Sequence, residues 1–149
     1  MNQTLQIVCP HCHVANPVPA ERLVGKPVCG GCRQALFNGQ PVDLGVNNFD
    51  AHLLRGDLPL LVDFWAPWCV PCQLLTPQFA SAAEALEPQL RLAKVNTQIE
   101  PTLGQRHDIR SLPTMLLFHH GRELARRSGT MAAAAIASWA RHVIESHAN

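Results

Sequence analysis

The stretch Leu60-Leu61-Val62-Asp63-Phe64-Trp65-Ala66-Pro67-Trp68-Cys69-Val70-Pro71-Cys72 decides how this chain folds. Leu60 to Ala66 is a nearly continuous apolar run of strand length, the pattern of a strand covered on both faces. Beyond Pro67, the apolar residues Leu75, Phe79, Ala82 and Leu86 recur at spacings of four, three and four. That periodicity predicts a helix opening near Cys69, with Pro77 kinking it. A C-x-x-C between a buried strand and a helix N-terminus reads as a redox pair. Unpaired N–H groups and the positive dipole end of the helix lower the pKa of Cys69, which makes it the nucleophile. Cys72, one turn on, is placed to resolve a mixed disulfide. Asp63 interrupts the apolar strand. Burial raises its pKa and makes it a candidate proton acceptor for Cys72; pairing with Lys94 on the next strand is a compatible reading.

Around this core the pattern extends in both directions. A short first strand is expected near Val42 to Val46, then a short helix capped by Asn47 or Asn48 and carrying Phe49, Leu53 and Leu54. Leu90 to Val95 alternates like a strand, and Glu100-Pro101 opens a short helix. Met115 to Phe118 is a further strand, turned back at His120-Gly121 into a partner, Glu123 to Ser128. Ile136, Trp139, Ala140, Val143 and Ile144 share one face of a C-terminal helix, so Trp139 belongs to the core. His107, beside Asp108, reads as a solvated loop residue. The order β-α-β-α-β-α-β-β-α gives an α/β class with a mixed central sheet flanked by helices.

Residues 1–40 differ in texture: four of the twelve prolines, four of the six cysteines and few large apolar side chains. So short a segment needs cross-links or a metal to stay folded. Cys9-Pro-His-Cys12 and Cys29-Gly-Gly-Cys32 lie sixteen residues apart, within the spacing of a tetrahedral four-sulfur zinc site. Gly30 and Gly31 are expected to supply positive φ for the turn. Arg22, Lys26 and Arg33 against Glu21 offset a zinc–tetrathiolate charge of −2. Disulfides are the rival reading, disfavoured inside a reducing cell. A redox role for Cys9 and Cys12 is disfavoured because Pro17 and Pro19 deny them a following helix. His11 and His13 read as solvent-facing, since four cysteines complete the shell. One closed-shell structural zinc is expected, and the chain divides into a 1–40 zinc-binding segment and a 41–149 main domain.

The 149-residue chain is 47% hydrophobic and carries a formal net charge of +1. That suits a globular core and argues against phosphate neutralisation as its business. It has no apolar run of spanning length, and its first residues lack the pattern of a secretory signal, so a cytoplasmic setting is expected.

The segment from Val62 to Cys72, with Leu112-Pro113-Thr114 before a strand, resembles the thioredoxin active site and its cis-proline loop. With the paired cysteines in front, the whole chain resembles the bacterial thioredoxin-2 type: a thioredoxin fold preceded by a small zinc-ribbon or zinc-knuckle segment. The resemblance implies a protein-disulfide reductase cycling between a Cys69/Cys72 dithiol and a redox-active disulfide. It implies a cis peptide at Pro113, facing the cysteines, and substrate contacts from Trp68, Leu112 and Pro113. Trp65, Pro77, Lys94 and Gly129 also match family positions. Val70 stands where most relatives have glycine and Gln73 where many have lysine; Val70, Pro71 and Lys94 are the residues expected to tune the redox poise. The expected partners are an NADPH-dependent thioredoxin reductase and disulfide-containing proteins, with no nucleic acid and no membrane, for a cytoplasmic monomer. Two other functions stay open: a more oxidising isomerase or oxidase, and a partner-docking adaptor built on the zinc segment.

Overall fold

The computed structural model describes residues 3–148. Strands β1 (Thr4–Val8) and β2 (Ala15–Pro19) form an antiparallel pair near the N-terminus. There follow β3 (Val42–Asp43), β4 (Leu60–Trp65), helix α1 (Val70–Leu86), β5 (Arg91–Asn96), α2 (Pro101–Arg106), β6 (Thr114–His119), β7 (Arg122–Ser128) and α3 (Ala133–Ser146). The second sheet has the order β3-β5-β4-β6-β7, with β4 parallel to β5 and antiparallel to β6.

Strand alternation sorts the core into two layers. Leu61, Leu92, Met115 and Leu117 pack against Leu75, Phe79 and Leu86 of α1 and Ile136 and Ala140 of α3. On the opposite face Val62, Phe64, Val95, Leu116 and Phe118 meet Phe49, Leu53 and Leu103. Trp139 packs partly buried against the first layer. Asp63 alternates with Leu61 and therefore faces the α1 side, the side that carries Cys72.

Three local expectations are corrected. The short helix after β3 begins at Phe49, directly after Asn48, and continues as a π-helical turn, Ala51–Arg55, but without a side-chain cap from Asn47 or Asn48; Leu54 is exposed. Asn48 instead accepts the Gly45 N–H at 2.8 Å, which bends the chain back after only two paired residues of β3. The His107 ring is not solvated: it lies among Phe49, Phe64 and Phe118, with centroids 5.2 to 5.9 Å away. Burial pushes its pKa down, and its Nε2 is buried without a partner.

The N-terminal segment has a small core of its own, Ile7, Cys9, Val18, Cys29 and Leu36, against which Leu58 of the main sheet's approach packs. Polar contacts fasten it. Arg91, at the start of β5, is 4% exposed and donates through Nη2 to the carbonyls of Val8 at 2.9 Å and Leu36 at 2.8 Å. Its Nη1 pairs with Glu87 at 3.1 Å, and Glu87 accepts the Gly39 N–H at 2.8 Å. Asp57 and Gln6 exchange two hydrogen bonds, Asp57 N–H to Gln6 O at 2.9 Å and Gln6 N–H to Asp57 Oδ2 at 2.6 Å. His13 is no solvent-facing residue either: its Nδ1 meets His52 Nε2 at 2.9 Å and its Nε2 meets Asn48 Nδ2 at 3.3 Å. Removing one member of a buried charge pair strands the other, which typically costs about 3–5 kcal/mol. Arg91→Leu is therefore expected to lower the stability of the full chain by that order in urea unfolding, and to expose residues 4–36 to proteolysis.

Candidate active site and metal centre

Cys69 is the N-cap of α1, with Pro71 in the first helical turn, and the structure joins it to Cys72 in a disulfide with Cα atoms 5.2 Å apart. Its sulfur accepts the Cys72 backbone N–H at 3.3 Å, so a donor of the helix end points at the Cys69 sulfur, an arrangement that favours a thiolate there. Cys69 is 5% exposed and Cys72 is fully buried, which separates an accessible sulfur from a sheltered one. Trp68 and Val70 on either side of Cys69 are each 70% exposed. Gln73 donates to the Pro67 carbonyl at 3.0 Å and so ties the Trp68 loop to the helix.

Opposite the cysteines stands the loop between α2 and β6. The Leu112–Pro113 peptide is cis, Leu112 packs on the Ala66, Cys69 and Cys72 cluster, and Pro113 is buried. The Pro113 carbonyl accepts the N–H of Gly129, whose φ of +92° suits glycine. Among the described residues, the Leu112 N–H and C=O take no hydrogen bond. A groove of about 390 Å³ runs beside this loop, lined by Trp68, Gly104, Ile109, Arg110, Ser111 and Leu112.

Asp63 is fully buried and neither carboxylate oxygen has a hydrogen-bond partner. Desolvation pushes its pKa from an ordinary 3.8 up to about 7, while the Lys94 charge pulls the other way. Asp63 and Lys94 are register neighbours, yet no ion pair forms between them among the described residues. The Lys94 amine lies instead over the Trp65 ring, 4.6 Å from its centroid, and borders a groove of about 350 Å³ with Asp43 and Glu100. Lys94 thus acts on Asp63 as a nearby charge, not as a hydrogen-bonded partner.

The four remaining cysteines converge in the N-terminal segment, their sulfurs all within 4.8 Å of one another. The Cys9–Cys32 and Cys12–Cys29 sulfur separations, 3.6 and 3.5 Å, approach the roughly 3.8 Å edge of a tetrahedron with zinc–sulfur bonds of about 2.3 Å. Backbone N–H groups of His11 and Cys12 point at the Cys9 sulfur, and those of Gly31 and Cys32 at Cys29, which also receives the Asn16 amide. Such donors favour thiolates. The residues fit a four-sulfur metal site. The positive φ that closes each knuckle belongs to His13 (65°) and Arg33 (66°), not to Gly30 or Gly31 as expected. Each of these two residues donates its N–H to the carbonyl of the first cysteine, at 3.0 and 2.9 Å.

Several contacts that fasten the N-terminal segment lie beyond sequence reasoning. Arg91 and Glu87 carry only an i,i+4 charge pattern, and His13 and His52 are 39 positions apart with no periodicity linking them. None of the described helices is long and apolar enough to cross a membrane.

Comparison with known proteins agrees with this geometry. The thioredoxin family matches residues 40–142, and a zinc-ribbon family described as the N-terminal part of thioredoxin 2 matches residues 8–34. Thioredoxin C-3 of Corynebacterium nephridii is 39% identical over 89% of this chain and 91% of its own length. The thioredoxin of Porphyra purpurea is 42% identical over 50% of this chain and 69% of its own. Chloroplastic thioredoxin z, at 24% identity, superposes with a TM-score of 0.65 over 71% of this chain and 96% of its own, so it shares the fold. The chain belongs to the thioredoxin family and is a thiol-disulfide oxidoreductase that carries an N-terminal zinc ribbon of the thioredoxin-2 kind.

Proposed function

We propose that the protein is a cytoplasmic protein-disulfide reductase, supplied with electrons by an NADPH-dependent thioredoxin reductase. The observation that supports it most is Cys69 at the helix N-cap, beside a groove and a main-chain edge at Leu112 that are open to a peptide. A substrate segment lies along Leu112 and Pro113 and against Trp68, its main chain pairing with the free Leu112 N–H and C=O. The Cys69 thiolate attacks one substrate sulfur; the Cys69–substrate bond forms and the substrate S–S bond breaks, the leaving sulfur taking a proton. Cys72 loses its proton to Asp63 and attacks Cys69, which closes the Cys69–Cys72 disulfide and expels the second substrate sulfur as a thiolate; that sulfur takes up a proton from water and Asp63 gives its proton back to solvent. Two electrons have passed from the cysteine pair to the substrate, and the reductase returns them. Val70, Pro71 and Lys94 set the poise of the pair. Coupled oxidation of NADPH with insulin as the disulfide tests the reading: turnover requiring both the reductase and this chain supports it, and no reduction of the chain by reductase contradicts it.

Asp63 carries a pH signature. Its folded pKa of about 7 lies above the ordinary 3.8, so its contribution to stability is complete below about 4 and is lost as pH rises through about 7. The loss amounts to roughly 4 kcal/mol over that window. In the disulfide form, Asp63→Asn is expected to flatten the stability curve between those pH values, read by urea unfolding. In the reduced form it is expected to slow resolution, so that the Cys69–substrate species accumulates.

For the N-terminal segment we infer one structural zinc held by Cys9, Cys12, Cys29 and Cys32, with residues 1–40 and 41–149 as the two units of the chain. When bound, zinc closes the segment through four thiolates and leaves no open position for chemistry.

A further inference from the structure

We infer that Arg126 is a positioning residue for the substrate groove: its guanidinium, locked by Glu123, clamps the loop whose far end carries Leu112 and Pro113. This rests on reading that groove as the substrate's path. Residues 109–112, which line the groove, lie between two points held from β6 and β7, and the Ile109 N–H bonds the Gly104 carbonyl of α2 at 2.9 Å. At the far point, Thr114 Oγ1 bonds the Ser111 carbonyl at 2.7 Å and Ser128 Oγ at 2.9 Å, and Gly129 N–H bonds the Pro113 carbonyl at 2.9 Å. At the near point, Arg126 Nη2 donates to the His107 carbonyl at 3.0 Å and Nη1 to the Asp108 carbonyl at 3.1 Å. Asp108 is itself in the left-handed region, with φ of 54°, so the turn it makes needs holding.

Glu123 fixes the clamp. It takes Arg126 Nε and Nη2 on its two oxygens, both at 2.7 Å, a planar bidentate pair that leaves Nη1 and the second Nη2 hydrogen aimed at the loop. In a regular strand, residues three apart point to opposite faces and could not meet this way. Here β7 pairs Glu123 with Phe118 and Ala125 with Leu117, leaving Leu124 as an extra residue. The bulge resets the alternation and brings Glu123 onto the face of Arg126. From its own end the His107 ring, wedged among Phe49, Phe64 and Phe118, anchors the same turn. The loop's position is thus set from β7 together with the Ile109–Gly104 bond to α2, and with it the place of Ile109 and Leu112 in the groove that Trp68 also lines.

The test uses the full, metal-loaded chain with insulin as the disulfide and a thiol reductant in excess. Arg126→Ala is expected to raise KM for insulin about fivefold, because a loop no longer held by the clamp, worth roughly one net hydrogen bond, must be ordered on binding, while kcat changes less than about twofold. The exchange pair Glu123→Arg with Arg126→Glu keeps the net charge and the ion pair but turns a carboxylate toward the two carbonyls; it is expected to raise KM as much as Arg126→Ala does. Ile109→Ser, a change in the groove wall itself, is the control for the groove. If the exchange pair binds insulin like the parent, the ion pair matters only for the strand and the clamp is overturned. If Ile109→Ser raises KM and the Arg126 variants do not, the clamp alone fails. If none of them moves KM, the groove reading fails and takes the clamp with it.

Discussion

Cys69→Ser is expected to abolish turnover of protein disulfides, and Cys72→Ser to stop the cycle one step later, with substrate covalently held on Cys69. The difference follows from placement. Cys69 presents the accessible sulfur, receives the helix-end N–H and is flanked by exposed Trp68 and Val70. Cys72 is fully buried and bonded to Cys69, with no exposed surface to offer a substrate sulfur. Without Cys69 no mixed disulfide forms, since a serine hydroxyl has no thiolate chemistry at neutral pH. Without Cys72 the first exchange still runs, and the mixed disulfide lacks its internal resolving thiol. Non-reducing mass spectrometry of the two variants after mixing with insulin separates them: an adduct only in Cys72→Ser is the expected pattern. An adduct only in Cys69→Ser would reverse the assignment of nucleophile and resolver, and adducts of comparable yield on both variants would contradict it.

Removal of the metal is expected to unfold the N-terminal segment and leave the five-stranded sheet intact. Apart from Ile7, Val8, Val18 and Leu36, the buried apolar residues of that segment are two of the proposed ligands, Cys9 and Cys29. Four aliphatic side chains at about 1.5–3 kcal/mol each do not hold some thirty residues against their chain entropy. Binding energies of about 10–16 kcal/mol for structural zinc in comparable peptides do. Chelation, or Cys29→Ser, should therefore erase amide protection over residues 4–36 in hydrogen exchange while protection in β4, β5 and β6 persists. Zinc analysis should return one ion per chain before treatment. A segment that keeps its protection without metal would show that its hydrogen bonds to Arg91 and Asp57 suffice.

What the sequence discloses is local or periodic. The apolar run of β4, the α1 stripe from Leu75 to Leu86 and the turn at His120-Gly121 each depend on neighbours within a few positions. Two C-x-x-C pairs at zinc spacing and one at a strand–helix junction carry their chemistry in the spacing itself. What stays hidden depends on contacts between distant residues. Arg91 at a strand start looks solvated until the carbonyls of Val8 and Leu36 fold over it. His13 and His107 look exposed because the side chains that cover them, His52 in one case and Phe49, Phe64 and Phe118 in the other, come from elsewhere in the chain. Asp63 shows the limit from the other side: its burial and raised pKa are legible from the strand, whereas the course of the Lys94 amine toward Trp65 depends on side-chain packing alone. The β7 bulge at Leu124, which alone lets Glu123 reach Arg126, has no sequence signature in Arg122 to Ser128.

The measurement that bears most directly on the reductase reading is the equilibrium reduction potential of the Cys69–Cys72 pair in the metal-loaded chain, titrated against dithiothreitol or glutathione. A value near about −270 mV is predicted, which places the pair with reductants and makes Val70 a modest adjustment. A value between about −180 and −120 mV would contradict it, since a pair so poised runs as an isomerase or oxidant.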